Sequence, residues 1–303
     1  MFDRIIVPTD GSDGAWRGVV VGDRLAAQCG GVVELVHVFV DADDADVVKG
    51  GLEYRIGLES LVSAPLVTVL PLQHTVARTI AHYATPTGGD QIVMSSSGHG
   101  RSAAFLGNVA TDLIVEHAGP VVVVGPAATR PKRSLRGELV VAVDGSSVDE
   151  AVLGVAAEWA PRLGQRPWVV TVVDRVAPLA VDVPGNASPR ELAHRLSTAT
   201  GHPVESDTLQ GRRPAAAIVE FADSVDASLI LLGTHERTGL ARLAVGSVAA
   251  SVVRHARCPV VIADPAHSRV LTMADATPVG SAARSRADGQ SDAAQADHGR
   301  GVL

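Results

Sequence analysis

The chain has 303 residues, room for two domains of ordinary size. A formal net charge of -7, with 19% charged residues, gives no basic footprint for nucleic acid. No apolar run approaches the roughly 20 residues that a membrane-spanning helix needs, so none is expected.

Taken from the start, MFDRIIVPTD has no basic segment followed by an apolar signal core, and it reads as a first strand closed by Asp10-Gly11-Ser12. Aromatic residues are only 3%, so the core must be built from Val, Leu, Ile and Ala. The stretch from Asp41 to Leu66 is irregular, opens with an acidic run to Asp46, and gives the weakest helix signal in the chain. Gln91 to Ser95 reads as a strand, followed by the loop Gly98-His99-Gly100-Arg101 and a helix opening at Gly107. A further strand, Val121 to Val124, leads into the basic, proline-containing segment PAATRPKRSLRG, read as a linker over 127–136 with solvated charges.

The pattern then repeats. Asp10-Gly11-Ser12 returns as Asp144-Gly145-Ser146, Gln91 to Ser95 as Leu229 to Gly233, and Gly107-Asn108-Val109-Ala110 as Gly246-Ser247-Val248-Ala249. His117-Ala-Gly-Pro is answered by His255-Ala-Arg-Cys-Pro, each before an apolar strand. Four matched blocks in one order indicate duplication. In the second copy, strands are expected near 138–143, 168–174, 203–209, 227–233 and 259–263. Helices are expected near 148–163, 188–200, 212–225 and 246–257. Such uniformly apolar strands alternating with helices predict parallel sheets covered on both faces, a doubly wound, Rossmann-like α/β fold in each half. The expected domains are 1–126 and 137–265, and the Ala-, Ser-, Asp- and Gly-rich stretch 266–303 is expected to be a disordered tail.

In an open α/β sheet, ligands bind beyond the carboxyl ends of the strands. Asp10 and Asp144 end the first strands of the two copies, and the loop after each fourth strand should face them. A helix starting at Gly246-Ser247 would aim unbonded N–H groups and its positive dipole end at an anion, with the Ser247 hydroxyl as a further donor. Each piece also has a plain reading, since Gly at a strand end and Ser at a helix start are ordinary punctuation. His235 sits in the loop within reach of a phosphate. Gly211, with Pro214 three residues on, reads either as a ligand contact or as a simple helix entry.

Taken together, the repeated Asp-Gly-Ser opening, the loop and the Pro-Val-Val ending resemble the universal stress protein family in its tandem form. The resemblance covers residues 1 to about 265. It implies a five-stranded parallel sheet per domain in the order 3-2-1-4-5, with the domains associating as a pseudo-dimer through Val121 to Val124 and Val260 to Ala263. It also implies a cytoplasmic stress-response protein. ATP-binding members carry G-x2-G-x9-G-[ST] in the loop. The second copy meets that pattern at Gly233, Gly246 and Ser247 but has Glu236 at the second glycine. A carboxylate about 5 Å from a phosphate charge costs roughly 3 kcal/mol at an effective dielectric near 20, about a hundredfold in affinity. Arg237, Arg242 or a bound Mg2+ would offset part of that. The first copy departs further: Ser95 replaces the first glycine, eight residues separate Gly98 from Gly107, and Asn108 replaces Ser or Thr. The expectation is therefore ATP or another adenine nucleotide held mainly by the second domain, with Asp10, Gly98 and Gly107 marking a degenerate first site. The alternative is a nucleotide-independent interaction module.

No other chemistry is expected. No P-loop or nucleophile elbow occurs, no acid–base pair or metal-ligand spacing stands out among the 11 histidines, and no catalytic residue is assigned. Cys29 and Cys258 make no redox or metal spacing and suit a reduced cytoplasm. A homodimer of whole chains is left open.

Overall fold

The computed structural model describes residues 2–84, 90–98, 106–117, 119–128, 134–174, 187–234 and 245–263. The first repeat runs β1 (Arg4–Pro8), α1 (Asp13–Cys29), β2 (Val32–Phe39), a short 3-10 turn (Ala42–Asp44), α2 (Ala45–Leu58) and β3 (Leu66–Pro71). It continues with α3 (Val76–Tyr83), β4 (Asp90–Ser95), α4 (Asn108–Glu116) and β5 (Val121–Val124). The second repeats the order: β6 (Gly137–Ala142), α5 (Asp149–Leu163), β7 (Gln165–Val173), α6 (Pro189–Thr200) and β8 (Glu205–Gln210). It closes with α7 (Pro214–Ser224), β9 (Leu229–Gly233), α8 (Ser247–His255) and β10 (Val260–Ala263).

The expected parallel order appears in both halves. A single ten-stranded sheet runs β3-β2-β1-β4-β5-β10-β9-β6-β7-β8, so each half has the order 3-2-1-4-5 counted within its repeat. Pairing is parallel within each half, whereas β5 and β10 meet antiparallel with Val122 opposite Val261. Successive residues of a strand face opposite sides, and the two cores follow that alternation. Ile5 and Val7 pack under α1, while Ile6 packs under α3 and α4. Each core layer crosses both repeats: Trp16 and Trp159 lie in one, Leu113 and Val252 in the other.

The repeats are also tied off the sheet. Phe2 meets Trp159 edge to face at 4.9 Å, a geometry worth about 0.5–1.5 kcal/mol beyond its buried area. Gln28 of α1 donates to the Leu163 carbonyl at 2.6 Å and accepts from the Leu135 N–H at 3.0 Å. The segment expected as a linker is therefore packed at its described ends, where Ala128 and Leu135 are buried. The expected tail lies outside the described residues.

The irregular stretch after Asp41 holds a 14-residue helix. Leu52 is its one fully buried side chain, and Arg55 lies over the Trp16 ring, 4.2 Å from its centroid. Tertiary contact here overrides a poor local helix signal.

Candidate functional site

Both repeats build the same turn after their first strand. Gly11 and Gly145 take left-handed backbone angles, φ 78° and 82°, which glycine adopts without strain. In the first repeat Asp10 Oδ1 accepts from the Ser12 N–H at 3.0 Å and hydroxyl at 2.6 Å, and Ser12 caps α1 through the Ala15 N–H. In the second, Asp144 Oδ1 accepts from the Ser146 N–H at 3.0 Å.

The first repeat holds a cavity of about 680 Å3 at the carboxyl ends of its strands. Asp10, Gly98 and Gly107, three residues singled out from sequence, all line it, together with Asn108. Its lining also includes the apolar Val36, Ile80 and Leu106. Gly107 is the N-cap of α4 with no side-chain cap, and the first backbone bond of the helix is Thr111 N–H to Gly107 O. The N–H groups of Asn108, Val109 and Ala110 therefore have no partner within the helix, and the positive end of its dipole meets the cavity. Gly98 abuts Asp10 so closely that a Cβ there would stand 2.0 Å from Oδ2.

The second repeat holds a matching but smaller cavity of about 170 Å3, lined by Asp144, Gly233 and Gly246. Small-ligand sites commonly occupy about 300–1,000 Å3; the inner cavity of the second repeat falls below that range and the groove beside it, between α7 and α8, adds about 510 Å3, whereas the first repeat holds its space in one cavity. The loop glycines ranked the sites the other way. One difference between the two inner cavities lies on the helix after the first strand. Counting from the matched aspartates, Gly14 and Ala15 of the first repeat correspond to Val148 and Asp149 of the second. Both of the larger side chains line the second cavity.

Gly233 has its own explanation in this packing. A Cβ on it would lie 2.1 Å from Val148 Cγ1 and 3.2 Å from Val152 Cγ2. At the corresponding place in the first repeat, Ser95 packs against Gly18, accepting from its N–H at 3.0 Å. Bulk has been exchanged between strand and helix, so this glycine serves helix–sheet contact.

Other expected residues lie apart from the cavities. Gly211 does not line the second one; its N–H bonds the Val173 carbonyl, and Pro214 and Ile218 supply the wall instead. Ser247 lies in an outer groove between α7 and α8, with Arg213, Ser251 and His255. It does not line the inner cavity, because Gly246, Val248 and Ala249 fill that side of the helix start. His235 and Glu236 lie outside the described residues.

Asp149 was missed in the sequence. It is 7% exposed and accepts from the Asp144 N–H at 3.2 Å and the Gly145 N–H at 2.8 Å. Burial pushes its carboxyl up to about 6; the two N–H donors oppose that shift, and the charges of Asp144 and Glu150 add to it. An acid one turn beyond the matched aspartate, where the first copy has Ala15, was the available signal. Among the described residues no group of three or more His, Cys, Asp or Glu side chains could hold a metal ion. Nor is any helix among them long and apolar enough to cross a membrane.

A sequence profile of the Universal stress protein family matches residues 1–125 and again 136–264. A universal stress protein of Mycobacterium tuberculosis is 29% identical over 250 residues, covering 76% of this chain and 77% of the relative. One from Methanocaldococcus jannaschii is 31% identical over 147 residues, 44% of this chain and 85% of its own length. The crystal structure of a universal stress protein from Archaeoglobus fulgidus superposes with a TM-score of 0.61 at 20% identity, covering 87% of this chain and 97% of that one. It shares the fold.

Proposed function

This chain belongs to the universal stress protein family, and from that premise we propose that it is a cytoplasmic stress-response protein that binds ATP or another adenine nucleotide. The observation that carries this reading is the first-repeat cavity, where a carboxylate, an uncapped helix start and an apolar wall surround about 680 Å3. Phosphates suit the N–H groups of Asn108 to Ala110, hydroxyl groups of a ribose suit Asp10, and a flat base suits the wall of Val36, Ile80 and Leu106. Any Mg2+ would arrive with the phosphates. Sequence motifs favoured the second repeat, whose space is divided between an inner cavity and an outer groove; the undivided cavity of the first weighs more, because a nucleotide must fit before its loop contacts count. The pairing of β5 with β10 supports reading the two repeats as an internal pseudo-dimer.

Such a protein acts through what its bound form stabilises. A ligand at a hundred times its Kd adds about 2.7 kcal/mol to the native state, roughly 5–10 °C in Tm for a chain of this size. A second reading, a nucleotide-independent interaction module, is favoured by one observation: Asp149 places a carboxylate in the smaller second cavity. The test is to denature the purified protein, identify released nucleotide by chromatography, and measure the thermal shift with Mg-ATP. Binding abolished by Gly107→Val and retained in Gly246→Val supports the first-repeat site. The reverse result returns the site to the second repeat, and no nucleotide and no shift leave the interaction module.

A further inference from the structure

The surface of the first repeat is not uniformly polar. Among the described residues, eight of the nine exposed large apolar side chains lie between Val32 and Leu72; three of them are on α2 and Leu66 is on the edge strand β3. Val47, Tyr54 and Leu58 fall on one face of α2, at spacings of seven and four residues, and are 74%, 71% and 68% exposed. Gly51 lies in the same row, and a Cβ built on it or on Gly50 meets nothing within 4 Å. The opposite face, carrying Leu52, Arg55 and Ile56, already packs on the body of the repeat.

Duplication supplies an internal control. Helix α6 has the same place in the second half-sheet, and its exposed positions are Arg190, Glu191, His194 and Thr198. The fold therefore does not require an apolar outer face at this position. The row on α2 runs about 16 Å, three turns of helix, and is long enough to meet another helix along one side.

The charges around the row select the partner. Asp46 and Glu53, seven residues apart, line one rim; Asp41, Asp43 and Asp44 crowd one end and Glu59 the other, all exposed. Lys49 points away from the row by helical spacing, and Arg55 is bonded to Asp13 at 2.7 Å and to the Gly11 carbonyl at 2.7 Å. Acids at the start of α2 complement its own dipole. That accounts for neither Glu53 nor the exposed apolar row. Two copies of this face would bring carboxylates together, and an anionic lipid surface would be repelled.

We propose that the outer face of α2, the row Val47, Tyr54 and Leu58 rimmed by carboxylates, docks a basic amphipathic helix of a partner protein. Apolar side chains of the partner cover the row, the Gly50-Gly51 notch accepts one of them, and its lysines or arginines meet Asp46 and Glu53. This surface is separate from the nucleotide cavity, so the inference stands whether or not that reading holds.

The test uses the full chain and a fluorescent helical peptide of about 18 residues, five turns, built from leucine and lysine with the leucines on one face. Anisotropy is expected to show saturable binding that weakens in high salt. It should be at least about tenfold weaker for a peptide of the same composition with scrambled order, and for one with glutamate in place of lysine. Tyr54→Lys and Leu58→Ser, both exposed and both checked for unchanged Tm, should each reduce affinity by about tenfold or more. Equal binding of the scrambled peptide, no binding, or variants that bind like the parent overturns the proposal. So does a concentration-dependent dimer by light scattering that Leu58→Ser dissolves, which would make a second copy the occupant.

Discussion

Gly233 and Val148 interlock: a Cβ placed on the glycine would lie 2.1 Å from Val148 Cγ1. Gly233→Ala should therefore cost about 1–3 kcal/mol through overpacking. Combined with Val148→Ala, part of that cost should return, giving a coupling energy of about 1 kcal/mol or more in urea denaturation. Additive effects would mean that the glycine is there for some reason other than this contact.

Asp149 should make the second repeat sensitive to pH. Its folded value, about 6, lies above the ordinary 3.8. The stabilising contribution of the protonated form is thus complete below about pH 4 and lost as pH rises through about 6. Relative to Asp149→Ala, the parent should become less stable by about 1–3 kcal/mol between pH 4 and pH 7. Denaturation of both proteins across that window checks it. A constant difference would show that Asp149 ionises at its ordinary pH.

Asn108 separates helix stability from ligand binding. Asn108→Asp places a carboxylate in the first turn of α4, which should stabilise the protein by about 0.3–1 kcal/mol. The same charge faces any phosphate in the cavity and should weaken Mg-ATP binding about tenfold or more by calorimetry. Unchanged affinity would place the phosphates elsewhere.

Gly125, just past β5, approaches the other repeat so closely that a Cβ would stand 1.8 Å from the Val253 carbonyl oxygen of α8. Gly125→Ala should cost about 1–3 kcal/mol and is expected to weaken the junction first, so that two unfolding steps replace one in calorimetry. A single transition at the parent Tm would show that the backbone there gives way freely.

The duplicated blocks made most of the architecture readable, because matched strands with matched turns permit few topologies. The helix Ala45–Leu58 was harder, since Gly50, Gly51 and Gly57 lower its intrinsic propensity and its support comes from Trp16 and Leu52, contacts no local pattern shows. At the site, Asp10, Gly98 and Gly107 converge as their positions in the pattern suggest. How space is divided in the second repeat was not readable from the loops, because Val148 and Asp149, which line its inner cavity, lie on a neighbouring helix. Ser247 matched the motif by type, yet its side of α8 is decided by helical phase relative to Gly246.

Because β5 and β10 run in opposite directions, the carboxyl ends of the two half-sheets face opposite ways. Their mouths therefore open on opposite rims of the sheet. In a pair of identical chains every substitution would alter both mouths at once. Joined in one polypeptide, each mouth can change without the other: one keeps a single undivided cavity while its twin carries a buried acid.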